Sequence, residues 1–248
     1  MPTVSVENYL KAILYLHEEG KEQVSTTELA GRVQATPAST SAMLRKLGER
    51  AWVEHRPYRG VRLTEEGHGI AMDILRRHRL WECFLVDHLG FDWDEVHEIA
   101  EELEHVDSRD LTNRLDAFLG FPKLDPHGDA IPGPNGRFRT VAARTLLSEA
   151  PKGLELVVVG VVDGRDSFLR HLGVLGISLG TRMTLQTRHA FDGSVEVTYS
   201  DGGEAQMLTP SVTTRLWVDQ SNPEPVIVFP DPDESDIIEP TIEQEWKP

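Results

Sequence analysis

The sequence is poor in cysteine and in positive charge, and it has no long hydrophobic run. Its one cysteine, Cys83, rules out an internal disulfide and points to a reducing, cytoplasmic home. No apolar stretch approaches the roughly 20 residues that a membrane-spanning helix needs, and the opening MPTVSVENYLK lacks the charged-then-apolar layout of a signal peptide. No membrane association is expected. Lys+Arg number 25 against 41 Asp+Glu, and a net charge of -16 makes the chain as a whole a poor partner for a phosphate backbone. Nucleophile elbows and phosphate-binding loops are also missing, which removes the commonest hydrolase and nucleotide-binding signatures.

The charge deficit is uneven. Residues 1–64 carry nine Lys+Arg against seven Asp+Glu, a net of +2, whereas residues 65–140 and 141–248 each carry eight against seventeen, a net of -9 apiece. Only the first segment suits DNA. A chain of 248 residues also has material for two or three modules.

Within that first segment, VENYLKAILYLHE places Val6, Tyr9, Leu10, Ile13, Leu14 and Leu16 at helical spacing, and Gly20 ends the pattern. Ser25 or Thr26 caps a short helix carrying Leu29, Ala30 and Val33. Thr36 caps a second, with Pro37 in its first turn, where a missing N–H costs least. Met43, Leu44 and Leu47 give this second helix an inward face, leaving Ser39, Thr40, Ser41, Arg45 and Lys46 to face outward. VEHRPYRGVRLT then reads as a two-stranded hairpin whose Arg56, Arg59 and Arg62 form a basic edge. The pattern is that of a winged helix-turn-helix over residues 1–64. Small hydroxyl side chains near the helix N-terminus allow close approach to base edges and phosphates, so Thr36, Pro37, Ser39, Thr40, Ser41, Arg45, Lys46, Arg56 and Arg59 are the candidate DNA contacts. The competing reading is a small helical interaction domain.

Residues 65–140 change to longer helices. GHGIAMDILRRHRLWECFLVDHLG supplies a long apolar pattern from Ile70 to Leu89, and two more helices follow, with Asp92 and Ser108 as expected N-caps. Symmetric DNA sites favour two-fold partners, so a homodimer built on these helices is expected. At roughly 100° per residue, His97, Glu101, Glu104 and His105 fall within about 100° of arc on one helical face. His78 and Glu82, four apart on the preceding helix, share a face too. Mixed imidazole and carboxylate suits divalent transition metals better than Ca²⁺. The alternatives are a solvated acidic face, a purely structural metal, or a metalloenzyme; HEIAE at 97–101 puts Glu101 where the second histidine of a zinc-protease motif belongs.

Together, ENYLKAIL, TPASTSAMLRKL, YRGVRLTEEG, RRHRLWECFLVDHLG, EVHEIAEELEHVDS and DPHGDAIPGP resemble the diphtheria toxin repressor family of metal-dependent transcriptional regulators over about residues 5 to 139. The resemblance implies a non-enzymatic regulator, for the most part a repressor of metal-uptake genes. It would bind operator DNA as a homodimer when loaded with Mn²⁺ or Fe²⁺, with Zn²⁺ or other divalent transition metals possible in vitro, and would have no small-molecule substrate. It implies a primary metal site at Asn8, Glu101, Glu104 and His105 and an ancillary site at His78, Glu82 and His97. A cysteine at position 101 would be the iron-type pattern; the hard carboxylate of Glu101 leans toward Mn²⁺. Two departures accompany this. Asn8 stands where the family uses Met or Asp, and Lys11 where manganese-type members supply a glutamate, so separate sites are expected rather than a close two-metal cluster. Ala42 replaces a glutamine of the toxin-repressor type, so the operator sequence does not carry over. Cys83 does not match a ligand position and is expected to be buried.

Residues 141–150 read as a linker. LELVVVGVVDG, GTRMTLQTRHA and GSVEVTYSDG in residues 151–220 read as the short strands of an SH3-like (FeoA-like) small β-barrel, where the resemblance implies further ligands at Asp163 or Asp166. Residues 221–248 are Pro-rich and acidic and read as a loosely ordered extension, with VIVF as a candidate edge strand. The fold class expected is mainly α with a β-containing C-terminal domain. The expected mechanism is that, without metal, clustered carboxylates repel and the helix bearing Asn8 is loosely held. Metal would tie it to Glu101, Glu104 and His105.

Overall fold

The structure, a computed structural model, describes residues 2–21, 23–56, 60–139, 144–162, 166–200, 202 and 205–220; of residues 56 and 166 it describes the backbone alone. Arg59, Asp163, residues 141–143 of the expected linker and the 221–248 extension with its VIVF segment lie outside the described residues, as do the side chains of Arg56 and Asp166.

Helix α1 (Val4–Glu18) buries Val6, Leu10 and Ile13 against α2 (Thr26–Arg32) and α3 (Pro37–Glu49). The Ser25 hydroxyl accepts from Glu28 N–H while the Glu28 carboxylate accepts from Ser25 N–H, a reciprocal cap that starts α2. Thr36 caps α3 by accepting from Ser39 N–H at 3.2 Å. Leu29, Leu44 and Leu47, all fully buried, close this core. Strands β1 (Val53–Arg56) and β2 (Gly60–Leu63) pair antiparallel as the wing, and Val24 bridges to Val61 to fasten the hairpin to the helices.

Thr64 caps α4 (Glu65–Leu89), which ends at Gly90 in the left-handed conformation, φ 73°. Beyond it come α5 (Val96–Leu103) and α6 (Arg109–Phe118). Ser108 caps α6 as expected, its hydroxyl accepting from Leu111 N–H. Asp92 does not cap α5. The chain makes a turn first, Glu95 N–H donating to Asp92 O, and Glu95 takes the cap position without a side-chain bond.

The C-terminal part is an antiparallel sheet built from β3 (Thr145–Leu146), β4 (Glu155–Val161), β5 (Arg182–Arg188), β6 (Val195–Tyr199), β7 (Gln206–Leu208) and β8 (Leu216–Gln220). Its spatial order is β3-β8-β4-β5-β6-β7, with bulges at Val158/Gly160 and Leu185/Thr187 that curl it around one core. Helices α7 (Asp166–Val174) and α8 (Pro210–Thr213) cover this core with Phe168, Leu169, Leu172 and Val212. The result is the expected winged helix, helical middle and small curled β-unit. Among the described residues no helix is long and apolar enough to cross a membrane.

Candidate metal centre

One turn apart on α4, His78 and Glu82 both face the protein interior. His78 Nε2 lies 3.0 Å from Glu82 Oε1. Helix α5, packed against α4, brings His97 to the same carboxylate oxygen, Nδ1 at 3.4 Å, and stands the two imidazoles edge to face with centroids 4.9 Å apart. One ligand atom from each of His78, Glu82 and His97 lies within 4.8 Å of the others. Two imidazoles and a carboxylate at this spacing fit a divalent transition metal. A further sign is the unsatisfied state of the pocket. His78 Nδ1 sits 2.7 Å from Glu104 Oε2 but off the hydrogen-bonding direction, so this fully enclosed nitrogen makes no hydrogen bond among the described residues. His97 is half exposed, which leaves the cluster an opening to solvent.

Charge is concentrated here. Burial pulls His78 toward the neutral form, but the Glu82 charge and contacts to Glu104 and Glu82 outweigh it and raise its pKa to about 9. Burial pushes the Glu82 carboxyl up, and the His78 charge with the close approach of the His127, His78 and His97 rings more than reverses this, holding it well below its ordinary value.

The same carboxylate has a second set of neighbours that the helical periodicity gave no reason to include. Glu82 Oε2 lies 3.6 Å from His127 Nδ1, and Glu82, Asp125 and His127 form another group with ligand atoms within 4.8 Å. Both come from the DPHGD loop. Asp125 accepts from the N–H groups of His127 and Asp129 and faces Arg79 at 3.3 Å. Burial, then the Glu82 charge, raises the Asp125 carboxyl to about pKa 7. His127 Nε2 is 2.8 Å from Trp93 O, and burial is outweighed by Glu82 in raising its pKa to about 9. The loop also carries the β-unit: Val161 N–H donates to His127 O at 2.7 Å, and Gly128 and Gly160 meet backbone to backbone.

The other expected ligands are arranged differently. Helix α5 runs to Leu103 and Glu104 caps it in right-handed helical geometry, its N–H donating to Ala100 O, so Glu104 stays beside Glu101. Glu104 turns fully inward, and Lys11 Nζ from α1 lies 2.7 Å from it and 3.3 Å from Glu101. His105 Nδ1 meets Glu7 Oε2 at 2.6 Å. Asn8 is exposed, and the neighbouring Glu7, which is buried, is the α1 residue that reaches His105. Arg77 secures the arrangement, donating to Glu104 O at 2.5 Å and to Glu7 at 3.1 Å. Ion pairs from Lys11 and Glu7 therefore tie helix α1 to the helical middle. Cys83 is buried, its thiol 3.7 Å from Leu124 O, and burial pushes its pKa upward.

On the winged unit, Thr36, Pro37, Ser39, Ser41, Arg45 and Lys46 are exposed along α3. Thr40 is not: it is fully buried, its hydroxyl 3.1 Å from Tyr9 Oη, so it belongs to the α1–α3 contact and leaves the outward face. Arg62 on the wing pairs with Glu54 at 2.7 Å.

Residues 1–61 match the iron dependent repressor N-terminal DNA binding domain, residues 64–133 the iron dependent repressor metal binding and dimerisation domain, and residues 145–220 the FeoA domain. The chain is 35% identical over 197 residues to the iron-dependent repressor IdeR of Mycobacterium tuberculosis, covering 74% of this chain and 84% of that protein. A solved manganese-dependent transcriptional repressor in complex with manganese is 38% identical, with TM-score 0.70 over 87% of this chain and 99% of that one. ScaR, solved with bound Zn²⁺, is 29% identical, with TM-score 0.63 over 88% of this chain and 100% of that one.

Proposed function

This chain belongs to the family of iron- and manganese-dependent transcriptional repressors, and from that premise we propose that it represses metal-uptake genes, binding double-stranded operator DNA as a homodimer when loaded with Mn²⁺ or Fe²⁺. Its relatives are repressors rather than enzymes, which disposes of the metalloenzyme reading of HEIAE. The observation that carries the proposal is the convergence of His78, His97 and His127 on one buried carboxylate, Glu82, in a helical unit joined to an exposed recognition helix.

His78, Glu82 and His97 would hold the ion, with Asp125 and His127 closing the other side of Glu82. A divalent ion there supplies a compact positive charge between carboxylates that protons and imidazolium otherwise serve. Mixed imidazole and carboxylate donors admit Mn²⁺ or Fe²⁺, the lean toward Mn²⁺ resting on the hard carboxylate of Glu101, and Zn²⁺ or Cd²⁺, which appear in solved ScaR, are further occupants for a site of this chemistry. Glu7 and Lys11 connect the site to the DNA-binding unit through α1, whose opposite side packs under α2 and α3. A shift of α5 relative to α4 therefore moves the recognition helix, and the liganded arrangement is the one whose paired α3 helices fit successive major grooves.

Support for the dimer comes from an apolar face. Phe118 is 64% exposed, Leu89 and Leu111 are exposed, and Phe118 stacks with Phe84 and His88 at 6.1 and 4.8 Å. With a single buried cysteine, a cytoplasmic setting fits. The test is fluorescence-anisotropy titration of promoter fragments from metal-uptake genes with Mn²⁺, anaerobic Fe²⁺, Zn²⁺ or chelator. Tighter binding with one ion supports the proposal, and equal binding in every condition refutes it.

A further inference from the structure

Lys11 is 5% exposed, and its ammonium lies between the carboxylates of Glu104 and Glu101 at 2.7 and 3.3 Å. The contacts form a closed circuit. From Lys11 they run through Glu104, then His78 (2.7 Å), Glu82 (3.0 Å), His97 (3.4 Å) and Glu101 (3.6 Å) before returning to Lys11. The circuit thus contains the residues of the His78/Glu82/His97 cluster and, across from it, a carboxylate pair that already has a cation of its own.

We propose that Lys11 is a tethered cation that competes with a divalent ion for the Glu101–Glu104 pair, and so sets how tightly that pair takes a metal. An ion bridging both carboxylates at ordinary metal–oxygen distances of about 2 Å would occupy the volume in which the ammonium now sits. Two positive centres cannot share a pocket in which Glu104 is fully enclosed, because water screens them poorly there. The α1 residues beside Lys11 supply no spare negative charge. Asn8 is neutral and exposed, and Glu7 is engaged by Arg77 and His105. Occupation of the pair by metal therefore requires Lys11 to swing away. The Glu82 clusters, which Lys11 does not touch directly, feel its charge only across Glu104 and carry a smaller penalty.

The inference rests on the metal-sensor reading above, and the experiment separates the two. Mn²⁺ is titrated by calorimetry into metal-free, full-length wild type, Lys11→Met and Lys11→Arg, with Lys11→Gln as a second neutral variant in case the first folds poorly. Thermal unfolding is followed with and without Mn²⁺. Both neutral variants should tighten one class of Mn²⁺ sites by at least about tenfold, from the loss of a nearby unit charge. They should leave the remaining class within about twofold, and Lys11→Arg should behave as wild type. The neutral variants should also melt lower without metal and gain more from Mn²⁺. Adding Glu101→Gln to Lys11→Met should abolish the gain. If wild type binds Mn²⁺ and the folded neutral variants bind it no more tightly, the role of Lys11 is refuted and the sensor reading stands. If neither wild type nor the variants bind Mn²⁺, both fail.

Discussion

Glu82 on α4 and His127 in the DPHGD loop meet with Oε2 and Nδ1 3.6 Å apart, and through this pair the buried Glu82 carboxylate touches the loop on which the C-terminal sheet rests. Because His78 and His97 meet the other oxygen of the same carboxylate, Glu82 is the one residue shared by both candidate ligand groups. Glu82→Gln should therefore abolish the tight class of Mn²⁺ binding. The chain without metal should lose about 3–5 kcal/mol, the usual cost of removing one partner from a buried ion pair. Calorimetric Mn²⁺ titration and denaturant unfolding measure the two effects; a variant that keeps wild-type Mn²⁺ affinity contradicts the assignment.

A pH dependence follows from the raised histidines. His78 and His127 sit near pKa 9 in the fold against an ordinary 6.5, so the folded chain holds these protons more tightly than the unfolded one. Their contribution to stability is complete below about pH 6.5 and is lost as pH rises toward 9. Asp125, raised to about 7, acts in the same direction at lower pH. Glu82 and Glu104, held below their ordinary values, act oppositely, and their contribution is lost in acid. Metal-free protein should thus be most stable in mildly acidic solution and melt progressively lower from pH 6.5 to 9. Mn²⁺ affinity should rise across that window, since an imidazole must shed its proton to bind. Melting curves in chelator and Mn²⁺ titrations at pH 6.5, 7.5 and 8.5 decide this.

The two polar sides of α3 should separate in function. Thr40→Val removes a buried hydroxyl bonded to Tyr9 and should cost about 1 kcal/mol of stability, with little effect on the slope of DNA affinity against salt. Arg45→Ala and Lys46→Ala should leave stability within about 0.5 kcal/mol. Each should weaken DNA binding and reduce the log–log salt slope by about one unit. Anisotropy titrations between low and moderate salt check both.

The β-unit docks through two glycines. A Cβ on Gly128 would come within 2.6 Å of Val159 O, and one on Gly160 within 2.7 Å of Gly128 Cα and 2.8 Å of His127 O. Gly128 also has φ 86°, which a side chain tolerates poorly. Gly160→Ala should push the sheet off the loop, destabilise the protein by about 1–3 kcal/mol, and weaken Mn²⁺ binding through His127. Unfolding and Mn²⁺ titration of the one variant show whether docking and the site are linked.

Much of this was legible in local signals. Ser25, Thr36 and Ser108 are caps whose side chains act within three residues, and the α1 and α3 apolar spacing states which faces are buried. What escaped was set by tertiary contact. Thr40 looks like one more small hydroxyl until Tyr9 packs over it. Asn8 and Glu7 differ by one position, and which of them reaches His105 depends on how α1 is rotated against Arg77. The 100° step rightly set Glu104 beside Glu101, but it gave no sign that Lys11 would fill the space between them or that His105 would meet Glu7. Asp125 and His127 lie in an aperiodic loop, and only folding brings them to Glu82.

If metal and operator act on one equilibrium, the Mn²⁺ dissociation constant must differ with and without saturating operator DNA at one salt concentration. Reciprocal coupling predicts that operator tightens Mn²⁺ binding by about 5- to 150-fold. An unchanged constant would mean that the Glu82 site and the recognition helix are not linked.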